Sequence, residues 1–272
     1  MYSGQKIKTE IISQSEKDLR INLFIKYWGE EDKLIKLSSD DFNLRSKENN
    51  TIEWVVPDTF ANPIGQIGIS INSDDNVSGK ILINYLNISG TPKMTFRRPD
   101  HIDEYKRGIF YKEEVYGQLW KRAWVNDVDK WQYRHNESFK VVRGIGRGHI
   151  MTGSETWKDY TISSKISIPL ASAAGLIVRS QGLKRYYSLE LTSENKLKIN
   201  KMEYELKTLN EIDFNLEYFK EYDLKFRVDG NKLQGYVDNQ LLIEAEDSSN
   251  PFEEGMMGFL TENGAIKVIQ YL

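Results

Sequence analysis

The sequence predicts an all-β protein made of two tandem β-sandwiches. Three observations predict it. Apolar residues recur with period two along most of the 272 residues, turn residues cut these runs into short segments, and no segment carries a convincing helical stripe. The length favours two modest domains over one, at about 100–200 residues per domain.

The first unit is expected over residues 1–97. Leu19, Ile21, Leu23, Ile25 and Tyr27 point one way, and Arg20, Asn22, Phe24 and Lys26 the other, as in a half-buried strand. Ile52, Trp54 and Val56 repeat the pattern, as do Ile67, Ile69 and Ile71, then Ile81, Ile83 and Tyr85. Turn chemistry separates them at Trp28-Gly29-Glu30, Pro57-Asp58, Ser73-Asp74-Asp75-Asn76 and Ser89-Gly90 with Pro92. Residues 98–115 lack a clear period and read as a connector, with a helical turn near Glu104 to Lys106.

The second, larger unit is expected over 116–272. Tyr160, Ile162, Ser164, Ile166 and Ile168 alternate with polar residues. Leu176 and Val178, then Tyr187, Leu189 and Leu191, face a core. Asp229-Gly230 and Asp238-Asn239 are two-residue hairpin turns. Asn263-Gly264 is expected to turn the chain into a last strand bearing Ile266 and Val268.

Composition narrows the function classes. The net charge is −3, and the basic pairs Arg97-Arg98 and Lys121-Arg122 form no stripe, so nucleic acid is not an expected partner. No apolar run is long enough to span a membrane, and Met1 to Lys6 lacks a secretory signal's apolar stretch. Cysteine is absent, which excludes disulfides, thiolate zinc sites and Cys nucleophiles, and a cytoplasmic location is expected. Three histidines (His101, His135, His149) make a His-rich metal centre hard to build. Ser73 to Asn76 and the pair Asp127/Asp129 are oxygen-rich, but neither has the spacing of a calcium loop, and they read as turns. No metal and no cofactor are expected.

Two stretches carry a family likeness. Gly153-Ser154-Glu155-Thr156-Trp157-Lys158-Asp159-Tyr160, with Ala174 to Gly182 and Arg185-Tyr186-Tyr187-Ser188-Leu189, is one. Tyr236-Val237-Asp238-Asn239-Gln240, with Glu246-Asp247 and Gly255-Met256-Met257-Gly258, is the other. Together they resemble concanavalin A-like, laminin G-like jelly rolls related to the 3-keto-disaccharide hydrolase group. A wider likeness rests on Trp54 to Thr59, Pro63 to Gly68, Gly90-Thr91-Pro92 and Arg122 to Asn126, continuing to Trp131. It resembles the non-catalytic C-terminal half of bacterial ADP-ribosylglycohydrolase-family proteins. That resemblance implies a galactose-binding-like jelly roll followed by a concanavalin-like one. The family's magnesium-binding catalytic bundle has no counterpart in this sequence, so its activity carries over to no residue.

The chief candidate site is one face of the hairpin formed by residues 175–180 and 185–192. With Leu176 and Val178 inward, Arg179, Tyr186, Ser188 and Glu190 are expected to share the opposite face. An arginine, a carboxylate and an aromatic ring on a rigid sheet suit a sugar; the competing reading is a solvated cross-strand ion pair. Trp120, Trp124, Trp131, Tyr133 and Trp157 form an aromatic set. Trp124 and Trp157 read as structural plugs, and Trp120 and Trp131 as stacking walls. Gly144-Ile145-Gly146-Arg147-Gly148-His149 lacks phosphate-loop spacing and reads as a tight β-turn with Arg147 and His149 on its rim.

The expected function is therefore a non-catalytic accessory module binding a glycan or an ADP-ribose-like ligand through Arg179, Tyr186, Ser188, Glu190, Trp120 and Trp131, with a catalytic domain or subunit as a further partner. The alternative is a glycoside hydrolase or lyase using Glu190 as acid or base with Asp159 or Glu155. A docking scaffold is the third reading.

Overall fold

Strand follows strand, with no α-helix, through residues 1–29, 32–72, 78–96, 122–134 and 137–271, which the computed structural model describes. Within these, the side chains of 132–134, 137–139 and 270–271 are not described. The expected connector at 98–115 with its helical turn, the Ser73 to Asn76 turn, Trp120 and the side chain of Tyr133 thus lie outside the described residues. None of the described residues forms a helix long and apolar enough to cross a membrane. The described chain divides into two units, Met1–Thr95 and Phe96 with the chain from Arg122 onward.

The first unit holds β1 (Lys6–Ser13), β2 (Leu19–Trp28), β3 (Leu34–Ser38), β4 (Phe42–Leu44), β5 (Asn49–Val55), β6 (Ile64–Asn72) and β7 (Ile81–Ser89). β1 lies between β5 and β7 in one antiparallel sheet, and β2 pairs with β3, β4 and β6 in the other. Strict alternation on β2 buries Leu19, Ile21, Leu23, Ile25 and Tyr27, as the sequence predicts. Leu19, Ile21, Leu23 and Ile25 pack with Ile7, Ile11, Leu44, Ile52 and Val56 into one core. Fully burying such a side chain contributes about 1.5–3 kcal/mol. The alternation on β6 and β7 does not lead to equal burial. Ile67, Ile71, Ile83 and Tyr85 remain exposed, because each strand has a single partner among the described residues and little lies over it.

The larger unit holds β8 (Trp124–Asn126), β9 (Lys130–Arg134), β10 (Glu137–Thr152), β11 (Tyr160–Leu170), β12 (Ala173–Gly182) and β13 (Arg185–Thr192). It continues with β14 (Lys196–Glu203), β15 (Glu205–Asp213), β16 (Glu221–Asp229), β17 (Lys232–Val237), β18 (Gln240–Glu246) and β19 (Met256–Tyr271). The sheet order is β15-β14-β13-β12-β19-β11-β16-β17-β18, with β10 along the other edge of β19. β19 joins the two halves. Met256 to Glu262 pair with β12 and Ala265 to Tyr271 with β11, while β10 follows the strand on its far side.

The two halves fold onto one another. A Cβ built on Gly235 of β17 would lie 2.4 Å from Leu189 Cδ1 of β13, so these residues meet between the layers. Leu176, Val178, Tyr187, Leu189, Leu191, Leu224, Phe226 and Val228 are buried, as the alternation predicts, and so are Leu197 and Ile199.

Two local expectations are corrected. Asn263-Gly264 does not begin a new strand: β19 runs through it. Asn263 takes φ +48, accepts from Gly146 N at 2.7 Å and donates to Ser172 Oγ at 3.2 Å. Gly144 to His149 is likewise not a tight turn but part of β10, whose register against β19 shifts between Arg143 and Arg147. Gly146, at φ +75, makes that bulge possible.

Candidate ligand-binding site

The β12–β13 register sets the faces. Leu176 opposes Leu189 and Val178 opposes Tyr187 on the inner face, while Gly175 opposes Glu190 and Ile177 opposes Ser188 on the outer one. Tyr186, Ser188 and Glu190 therefore share the outer face, as expected, but all three are buried there rather than open to solvent. Arg179 does not join them, and this corrects the expected grouping.

Arg179 sits in a bulge. Its φ is +47, and β12 loses register there against both β13 and β19. The bulge turns the side chain inward, where it is 2% exposed. Its backbone N donates to Tyr160 Oη at 2.6 Å and Nε to Lys158 O at 2.9 Å. Nη1 donates to Gly230 O at 2.6 Å and Phe252 O at 2.7 Å, and Nη2 to Asp159 Oδ1 at 2.9 Å. Phe252 N in turn donates to Tyr187 Oη at 2.9 Å, which fixes Arg179 on the inner side of β13. Arg179 ties strand ends and loops together.

Arg147 of β10 takes the place expected for Arg179. Its Nη1 donates to Glu190 Oε1 at 2.6 Å, and its Nη2 to Glu190 Oε2 at 3.2 Å and Glu262 Oε2 at 2.7 Å. β19 and β12 lie between β10 and β13, so the pair reaches over three strand spacings, roughly 14 Å between chains. Ala173 and Gly175 supply the β12 floor beneath it, small enough for the two long side chains to lie flat. Ser188 Oγ and Asn200 also hydrogen-bond Glu190, and Thr208 Oγ1 donates to Asn200 Oδ1 at 2.9 Å, orienting that amide.

Burial alone pushes the Glu190 carboxyl up, but the Arg147 guanidinium and the hydrogen bonds from Arg147, Ser188 and Asn200 outweigh it and hold the group below its usual range. Burial works against the charge on Arg147, and its carboxylate partners more than restore it.

His149 and Tyr186 extend the same face. His149 Nε2 lies 2.9 Å from Tyr186 Oη, with the rings edge to face at 4.9 Å. That contact engages Nε2 and leaves Nδ1 as the ring's other nitrogen. That Nδ1 is buried with no partner among the described residues. Burial, and then Arg147, lowers the His149 pKa to about 4, so the ring is neutral. Beyond it Met151, Ile177, Tyr186, Met202 and Leu260 form an apolar cluster on the outer face. Glu190 is 1% exposed, whereas the side chains of Arg147 and Glu262 keep 14% and 29%; access to the constellation is at these two.

The other expected residues separate from this site. Trp131 is buried edge-on against Trp124, with centroids 5.4 Å apart, and Phe96 meets Trp124 at 5.3 Å. Trp131 is therefore no open stacking wall, a correction; Trp124 is the structural plug expected. Trp157 packs against Tyr160 at 5.8 Å. Asp127 and Asp129 each lie 3.4 Å from Arg143, and Asp129 Oδ2 accepts from Gly144 N at 2.6 Å. No metal-holding cluster of His, Cys, Asp or Glu occurs among the described residues. Asp159 is bound to Arg179 on the inner side and so forms no pair with Glu190; the second carboxylate near Glu190 is Glu262. Arg147, His149, Asn200 and Glu262 are the residues that sequence reasoning missed. The alternation of Arg147 and His149 across Gly148 was the available signal, hidden in a glycine-rich run.

No protein-family model matches the chain, and no curated protein matches it. Solved structures do. The chain is similar to carbohydrate binding module CBM66 from Bacillus subtilis, at 22% identity and a TM-score of 0.50, over 55% of this chain and 93% of that one. A protein of unknown function with a galectin-like fold from Bacillus subtilis aligns at 11% identity and a TM-score of 0.45, over 56% of this chain and 89% of that one. The galectin LEC-6 from Caenorhabditis elegans aligns at 10% identity and a TM-score of 0.37, over 52% and 97%. The chain contains a jelly-roll β-sandwich of this general kind.

Proposed function

We propose that the larger unit binds a saccharide on the outer face of β10, β19, β12 and β13, at the rim formed by Arg147 and Glu262. The observation that carries this reading is the Arg147 bridge. A guanidinium shared by two carboxylates, backed by Ser188, Asn200 and Tyr186, presents fixed donors and acceptors on a rigid sheet, as recognition of hydroxyl groups requires. Likeness to a carbohydrate binding module supports the reading at the level of fold. The role is binding rather than turnover, because Glu190 is held ionised and its oxygens are already engaged, leaving no proton donor there. A cytoplasmic setting fits a chain without cysteine, which needs no oxidising compartment to mature.

Thermal shift of the full chain against mono- and oligosaccharides tests the proposal. ADP-ribose belongs in the panel because of the resemblance to the accessory half of ADP-ribosylglycohydrolases. Ligand at 100 times its Kd adds about 2.7 kcal/mol, which raises Tm by several degrees. The expected result is a rise with at least one saccharide that disappears in Glu262→Ala. A panel without any shift overturns the proposal, as does a shift that Glu262→Ala and Arg147→Lys both leave intact.

A further inference from the structure

The outer face has an uneven charge pattern. Arg147 is shared by Glu190 and Glu262. One step along the sheet, Lys198 opposes Glu190 in register and is held by Glu194 at 3.0 Å and Glu211 at 3.4 Å. Lys196 follows, held by Asp213 at 2.8 Å and Glu211 at 3.8 Å. Each of these cations meets two carboxylates, so three cations stand among five anions. His149 is neutral and adds no positive charge. The face is rich in acceptors, and its accessible side chains are Arg147 and Glu262.

Resting on the carbohydrate reading, we infer that the site takes an uncharged saccharide and rejects anionic ones, including uronic acids and nucleotide diphosphate sugars. Neutral hydroxyls suit this rim: they donate to Glu262 and accept from Arg147. A carboxylate or pyrophosphate donates nothing and meets a net negative, partly desolvated surface, where like charges a few ångströms apart repel strongly. The Arg147 charge does not attract it, because two carboxylates already neutralise that guanidinium.

Matched ligand pairs test this by titration calorimetry on the full chain: glucose and glucuronate, galactose and galacturonate, their oligomers, and ADP-ribose. The neutral member is expected to bind at least tenfold more tightly than its acidic counterpart. Glu262→Gln, with its fold confirmed by circular dichroism, removes one anion and is expected to narrow that gap several-fold. Acidic members binding as tightly as neutral ones overturn the inference and leave the carbohydrate reading standing. If no ligand of either class binds, the carbohydrate reading falls, and this inference with it.

Discussion

Arg147 on β10 reaches Glu190 on β13 over the two strands between them, with donor distances of 2.6 and 3.2 Å. A pair this deeply placed is held by geometry, and removing one partner strands the other. Arg147→Met should cost about 3–5 kcal/mol, because Glu190 then becomes a buried, uncompensated charge. Adding Glu190→Leu should recover most of that loss. Urea unfolding of both variants measures it, and a single-variant cost below about 1 kcal/mol would contradict the account.

Gly175 is the second consequence of the same bridge. It opposes Glu190 in register, and a Cβ there would overlap the Leu189 carbonyl oxygen, so β12 and β13 approach more closely than any side chain permits. Gly175→Ala should destabilise the larger unit by about 3 kcal/mol and disturb the Glu190 pocket. A variant of unchanged Tm would show that the strands can separate at no cost.

Arg179 is a structural residue in this account. Its guanidinium is bound by three backbone carbonyls and Asp159. Arg179→Ala should lower stability by about 3 kcal/mol, since each buried carbonyl left unpaired costs about 1–3 kcal/mol. Conditions under which that variant is folded should show unchanged saccharide affinity. An affinity loss of tenfold or more in folded protein would return Arg179 to the binding face.

Acid sensitivity should appear in two windows. His149 titrates near 6.5 when unfolded and at about 4 in the fold, so between these values the unfolded chain holds more protons. Its contribution is complete above about pH 6.5 and is lost as pH falls toward 4, by about 3 kcal/mol. Burial pushes Asp247 up, but Lys201 and Tyr187 donate to it and hold it at about 2. That carboxylate stabilises above its ordinary value of 3.8 and loses its effect as pH falls from there toward 2. Unfolding free energies measured from pH 3 to 7 should lose the upper slope in His149→Gln and keep the lower one.

Strand polarity was legible in the sequence wherever alternation met one buried layer. Leu19 to Tyr27 obey it because a one-residue slip would expose a whole set of apolar side chains, whereas Ala173 to Ser180 and Tyr186 to Thr192 are buried on both faces and alternation there reports only which face a residue takes. Asp238-Asn239 was legible too, since tight hairpins need residues that tolerate positive φ and both adopt it, while the turn expected at Asp229-Gly230 falls one residue later, at Gly230-Asn231, with Asp229 still paired to Lys232. Bulges were not. Arg179 enters the left-handed region without being glycine, and the reason lies in carbonyls of distant loops that no local pattern reports. Gly144 to His149 misled in the opposite sense: its glycines permit a bulge inside a long strand as readily as a turn. The Arg147–Glu190 pair joins residues 43 positions apart across two intervening strands, and only the sheet order reveals it.

His149 reports on occupancy of the outer face. The chain has three histidines, so a spectrum of the full protein labelled with 15N-histidine is simple to assign, with His149→Gln identifying the signal. Titrating neutral saccharides should shift the His149 ring-nitrogen resonances, because the ring lies 2.9 Å from Tyr186 Oη beside the Arg147 rim, and should leave the other imidazoles in place. Saccharide binding that leaves His149 unmoved, or no response to any sugar, would contradict the assignment of this face as the binding site.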